Sequence, residues 1–149
     1  MPIEPALTQA QCDDLRTVAV MMIPASSEYK VPGADDAKIQ ADILATLGRD
    51  TKRVMEALDH LARLAGRPLN DLDQTRREAV AKEFRSSGGA TAATLTRVVL
   101  QCYYRDDRVV HSLGLELRPP FPLGYALEQG DWSLLDPVRA RASMWRRVR

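Results

Sequence analysis

Between residues 90 and 104 the chain reads ATAATLTRVVLQCYY, and Arg97 is its only charged residue. Wound at 3.6 residues per turn, the run is apolar on every face, which predicts a helix buried inside a small domain. At about 1.5 Å per residue it is roughly 22 Å long, enough to cross such a domain once and too short to cross a bilayer. Leu95, Val98, Val99 and Cys102 share one side, while Leu100, Tyr103 and Tyr104 offer packing surface on the others.

Upstream, the polar and apolar positions predict four amphipathic helices. Thr8 with Gln11 forms a capping box, and Leu7 with Cys12 a hydrophobic staple around it, so the first helix starts near Gln9 and keeps helical spacing through Leu15, Val18, Ala19 and Met22. Pro24 ends it, and the loop PASSEYKVPGADD follows, the longest irregular connection in this part of the chain. A second helix is expected to open at Ala34 or Asp35, with Ile39, Ile43, Leu44 and Leu47 as its inner stripe and Gly48 as its stop. The third has Asp50 as N-cap, Val54, Leu58, Leu61 and Ala65 on one face, His60 toward the polar side, and Gly66 then Pro68 beyond its end. The fourth runs from near Asp73 through Val80 and Phe84 to Gly88 and Gly89, with a face charged in both signs. No alternating run is long enough for a strand.

Beyond Tyr104 the pattern changes. RDDRVVHSLG allows at most a short amphipathic turn ending at Gly114, and Pro119, Pro120 and Pro122 then forbid a helix over LELRPPFPLGY. The expected fold is mainly α: a single domain of about five helices, as a body over about 8–114 around the buried helix 90–104. An irregular Pro- and aromatic-rich tail covers about 115–149.

The 149 residues are enough to bury a core without metal or disulfide staples. A formal net charge of +1 conceals an asymmetry: the last eleven residues hold five arginines and no acid, leaving 16 basic and 20 acidic side chains in the rest. A basic terminus of this kind suits an acidic protein surface, and nucleic acid is the rival partner. Cys12 and Cys102 read either as two buried small hydrophobes or as one disulfide, and His60 and His111 show no ligand spacing with them, so no metal is expected. Nucleotide loops, CxxC pairs, HExxH and GxSxG are absent from the sequence, and acidic pairs such as Asp35–Asp36 and Asp106–Asp107 read as helix-start and turn residues. Catalysis by this chain alone is therefore not expected; a small enzyme using Tyr103, Asp106 or His111 is the rival reading. The tail instead concentrates side chains that anchor interfaces: both tryptophans, four of the nine prolines, and arginine.

Two regions carry a resemblance. MMIPASSEYKVPGADD contributes Ile23, Pro24, Pro32, Gly33 and Ala34; YYRDDRVVHSLGLELRPPFPLGY, with the following DWSLLDPVR, contributes Tyr104, Gly114, Pro120, Phe121 and Gly124. In order and spacing, over most of the chain, these resemble the gluconate 2-dehydrogenase subunit 3 family, the small (gamma) subunit of bacterial flavin-dependent dehydrogenases. The resemblance implies a non-catalytic subunit that assists folding, flavin loading or export of a large FAD-bearing oxidoreductase of the glucose-methanol-choline type. Such partners oxidise a sugar, sugar acid or glycoside and often pass electrons to a cytochrome c subunit. FAD would reside in the partner and no cofactor in this chain. Many members open with a twin-arginine export signal and this sequence does not, which leaves a cytoplasmic pair or export with a signal-bearing partner as the expectation.

The expected partner-binding residues are Pro32 and Gly33 in the long loop and Tyr104 at the end of the central helix. Pro119, Pro120, Phe121, Pro122, Gly124 and Tyr125 form a stiff docking strip, with Trp132 and Trp145 as anchors and Arg146 meeting acidic groups.

Overall fold

The computed structural model describes residues 6–119, 121–125 and 129–142. These are helical through most of their length and divide into two compact units, one running to Leu117 and one beginning at Arg118.

In the first unit, α1 (Gln9–Met22) starts at the expected box: the Thr8 hydroxyl accepts from the Gln11 N–H at 3.2 Å, and the Gln11 side chain accepts from the Thr8 N–H at 2.9 Å. Leu15, Val18 and Ala19 are its buried face. α2 (Ala37–Thr46) begins later than expected because Asp36 is the residue that caps it, accepting from the Lys38 and Ile39 amides at 3.0 and 3.4 Å. Ala34 and Asp35 belong instead to the preceding loop. Ile39 and Ile43 are buried, whereas Leu44, expected beside them, is exposed. It lies about 100° round the helix from Ile43, outside the narrow face of so short a helix.

α3 (Thr51–Ala65) buries Val54, Ala57, Leu58, Leu61 and Ala65 and ends at Gly66, whose φ of 72° and N–H bond to the Ala62 carbonyl make the expected left-handed cap. Asp50 occupies the N-cap position, but its carboxylate binds Arg97 at 2.8 Å instead of the helix amides. His60, read as solvated, is half-buried and meets the Phe84 ring edge-on at 5.6 Å. α4 (Gln74–Ser87) is capped by Asp73, which accepts from the Arg76 N–H at 2.8 Å, and buries Val80 and Phe84. At Gly88 a Cβ would stand 2.6 Å from the Ala92 Cβ and 2.7 Å from the Phe84 carbonyl oxygen, so only glycine lets α4 turn this tightly into the next helix.

That next helix, α5 (Gly89–Tyr104), packs against α2, α3, α4 and α6 (Asp107–Ser112), while α1 lies on α3 and on the 3-10 turn Leu69–Asp71. Ala92, Thr94, Leu95, Val98, Val99, Cys102 and Tyr103 are buried along it. The expectation that α5 is covered on every side needs correction: Ala93, Thr96, Arg97, Leu100, Gln101 and Tyr104 are exposed along one stripe. Both cysteines are thiols; Cys12 is half-buried and Cys102 buried, with its sulfur 3.5 Å from the Thr46 hydroxyl. Gly114, with φ of 72°, stops the chain after α6 as expected.

In the second unit, Arg118 is hydrogen-bonded to Gly124 and Tyr125, and a 3-10 turn (Trp132–Leu135) continues into a single helical turn, α7 (Asp136–Arg139). This short helical stretch was not expected in a tail read as irregular.

Val99 has no exposed surface. A carboxylate there would be buried without a partner, at a cost of several kcal/mol, comparable to the stability of a whole domain. Val99→Asp is expected to abolish the cooperative melt followed by circular dichroism at 222 nm; a melt like that of the parent would show that α5 does not organise this unit.

Candidate functional site

The residues expected to bind a partner fall into two groups. Pro32, Gly33 and Tyr104 lie in the first unit, where the loop after α1 meets the end of α5. The loop is a folded element. Ser26 and Val31 exchange both backbone hydrogen bonds at 3.1 Å, and Ala34 donates to the Ile23 carbonyl at 2.9 Å, so the loop begins and ends at nearly the same place. Gly33 is buried where that closure is tightest. A Cβ on it would stand 2.4 Å from the Asp35 carboxylate and 3.0 Å from the Ala25 nitrogen. The Pro32 carbonyl accepts from the Tyr103 hydroxyl at 3.1 Å, and Tyr104 meets Tyr103 edge-on at 5.2 Å. Tyr103 is therefore a structural strut, its hydroxyl pKa pushed up by burial, and Tyr104 is the exposed neighbour it leaves at the surface.

Arginines fix this corner. Arg108 on α6 donates to Asp36 at 2.7 and 3.1 Å and to Asp106 at 2.9 and 3.1 Å, while Lys38 approaches Asp106 at 3.5 Å. Arg105 binds Asp42 at 2.6 Å and the Thr46 hydroxyl at 3.1 Å. The start of α2 is thus tied to α6, and its middle and end to the residue after α5, by charge-assisted bonds. Arg108 holds the Asp36 and Asp106 carboxyls below the usual range, and Arg105 does the same to Asp42. Asp14 is shifted the other way: burial pushes it up, partly opposed by the Leu69 N–H that it accepts at 3.1 Å. Of the residues named for a single-chain enzyme, Tyr103 and Asp106 are committed to these contacts and His111 is exposed.

The second group lies in the second unit. Arg118 donates to the Gly124 carbonyl at 2.7 Å and lies 5.0 Å over the Tyr125 ring, while the Tyr125 hydroxyl donates back to the Arg118 carbonyl. Gly124 takes φ of 66° to turn its carbonyl toward Arg118. The strip is therefore braced from within, and Phe121 at 84% exposure and Leu123 at 81% stand outward from it, with Pro119 and Pro122 exposed beside them. Further on, the Asp131 carboxylate accepts from the Ser133 N–H at 3.0 Å and its hydroxyl at 2.6 Å, and Trp132, Leu134 and Val138 are exposed. Leu123, Leu134 and Val138 were missed by the sequence reading, which followed aromatics and prolines. The signal for the turn was Asp131 two residues before Ser133, with Pro137 in the first turn of α7. Pro120, Trp145 and Arg146 lie outside the described residues.

Among the described residues, no group of three or more His, Cys, Asp or Glu is placed to hold a metal ion, and no helix is long and apolar enough to cross a membrane.

The lowered carboxylates contribute stability that is fully present above the ordinary aspartate pKa of about 4 and is lost as pH falls through their lowered values. Asp106→Ala is expected to lose about 2 kcal/mol in urea titrations at neutral pH, the scale of a buried charge-assisted hydrogen bond. The difference from the parent should shrink only as pH falls below the ordinary aspartate range and through the lowered Asp106 value, where the parent's own link is protonated. Equal stability at neutral pH would show that the Arg108 link is idle.

Comparison of the chain with protein-family models, with curated proteins and with solved structures returns no match.

Proposed function

We propose that this chain is the non-catalytic small subunit of a flavin-dependent dehydrogenase complex. It binds a large FAD-bearing subunit that oxidises a sugar, sugar acid or glycoside, and assists that subunit's folding, flavin loading or export. The observation that carries the reading is the second unit. It turns Phe121, Leu123, Trp132 and Leu134 toward solvent from a loop braced by Arg118 and Tyr125 and from a turn capped by Asp131. Large apolar side chains standing out from an ordered backbone lose little conformational freedom on docking, which is the property of an interface anchor. The resemblance of the PASSEYKVPGADD and RPPFPLGY segments to the dehydrogenase small subunits names the kind of partner.

In this reading the first unit is the scaffold. Its folded loop, with Pro32 and Gly33, and the exposed Tyr104 add a second contact region. FAD belongs to the partner, and a cytochrome c subunit is a further member of such complexes.

The test is co-expression with a large FAD-dependent oxidoreductase of the glucose-methanol-choline type from the same source, pull-down through a tag on the small subunit, and an absorbance spectrum of the eluate. A stoichiometric large subunit with flavin bands is expected. Phe121→Asp should weaken the complex by about 2 kcal/mol, the scale of a lost hot spot, without changing the melt of the free chain. Elution of the chain alone and colourless would refute the proposal.

A further inference from the structure

The exposed stripe of α5 is continuous with a furrow. Where α1 and α4 flank it, a groove of about 680 Å³ is walled by Met21, Met22, Phe84, Leu95 and Leu100. The groove shares Ala92, Thr96 and Leu100 with a hollow of about 510 Å³ farther along the stripe. That hollow shares Arg97 and Gln101 with another of about 670 Å³ beside the start of α3, where Arg49 and Arg53 stand. Together they form one trough following α5 from Ala92 to Gln101, which at about 1.5 Å per residue is roughly 14 Å, or two and a half helical turns.

Its chemistry is two-sided. The first groove is mainly apolar, with two methionines whose unbranched side chains adapt to whatever lies on them. The margins are cationic: Lys82, Arg85, Arg97, Arg49 and Arg53 line the trough against two carboxylates, Glu78 and Asp50. Asp50 is taken by Arg97 at 2.8 Å, and Glu78 accepts from the Gln74 amide at 2.6 Å. Among the described residues, Lys82, Arg85, Arg49 and Arg53 pair with no carboxylate. The occupant that fits has an apolar side, an acidic side and the shape of a rod, since a trough alongside packed helices accepts another helix.

We propose that the furrow along α5 seats an amphipathic helix of a partner protein. Its apolar side chains lie on Met21, Met22, Phe84 and Leu100, and its Asp and Glu residues meet Lys82, Arg85, Arg49 and Arg53. The occupant also accounts for Leu100, a large aliphatic side chain left on the exposed stripe of α5. The proposal concerns the first unit alone and stands whether or not the second unit binds a flavin enzyme.

The test uses the full chain and fluorescence anisotropy with three probes. One is a fluorescein-labelled helical peptide with leucines at i, i+4, i+7 and i+11 and glutamates on its flanks. The second is its twin with lysines in place of the glutamates, and the third is dodecanoate carrying the same fluorophore at its methyl end. The acidic peptide should bind at least ten times more tightly than the basic twin, with an affinity that falls as salt rises. Leu100→Asp should weaken it at least tenfold, and Lys82→Glu with Arg85→Glu should reverse the preference in favour of the basic twin. These side chains are on the surface, so unchanged helical spectra and melts are expected and separate lost binding from lost fold. Equal binding of both peptides, or binding indifferent to Leu100→Asp, overturns the proposal. So does dodecanoate binding with no peptide binding, which would assign the furrow to an anionic acyl chain. Concentration-dependent self-association abolished by Leu100→Asp, again with no peptide binding, would assign it to a second copy.

Discussion

Leu95, Val99 and Cys102 are at most 3% exposed, and the side chains that cover them come from helices on both sides of α5 in the sequence. Burial of this one face is the constraint on which the first unit depends. Each fully buried aliphatic side chain contributes about 1.5–3 kcal/mol, and α2, α4 and α6 are too short or too polar to be stable alone. Arginines at the edges of the same helix then set direction. Arg97 reaches Asp50, Arg105 reaches Asp42, and Arg108 just beyond reaches Asp36. These pairs are partly exposed and individually modest, but the planar guanidinium fixes geometry. They hold the start of α3, the body of α2 and the cap of α2 in register with the apolar face.

The second unit follows a different logic. Its described large apolar residues are exposed, and their order comes from local bonds: Arg118 to Gly124, Tyr125 to Arg118, and Asp131 to Ser133. Local bonds of this kind order a backbone and leave its side chains outward. The first unit thus buries most of its large aliphatic side chains in its own core, whereas those described in the second are exposed, and the proposed function rests on that contrast.

Much of the first unit was legible in the sequence because its signals are local. The Thr8 box, the start of α4 near Asp73 and the glycines at 66 and 114 are each set within one helical turn, and each stands where it was read. What escaped was set by distant residues. Asp50 has the composition of a cap, but an arginine 47 positions later takes its carboxylate. Leu44 and Leu100 are apolar positions on apolar helices, and only the number and placement of covering helices decides that they stay exposed. In the tail, aromatics and prolines drew attention to Phe121, Tyr125 and Trp132. The turn at 132–139 gave no periodic signal because all its residues are exposed, leaving no contrast between a buried and a solvated face. Trp145, Arg146 and Pro120 are named by the sequence alone.

As proposed, the second unit is the surface that engages a large flavin-bearing subunit. Hydrogen exchange followed by mass spectrometry, on the chain alone and in the presence of that subunit, tests it most directly. The account predicts slowed exchange over residues 118–138 on binding, with the amides of α3 unchanged because they are already protected by the core. Exchange in 118–138 that is the same with and without the large subunit would contradict it.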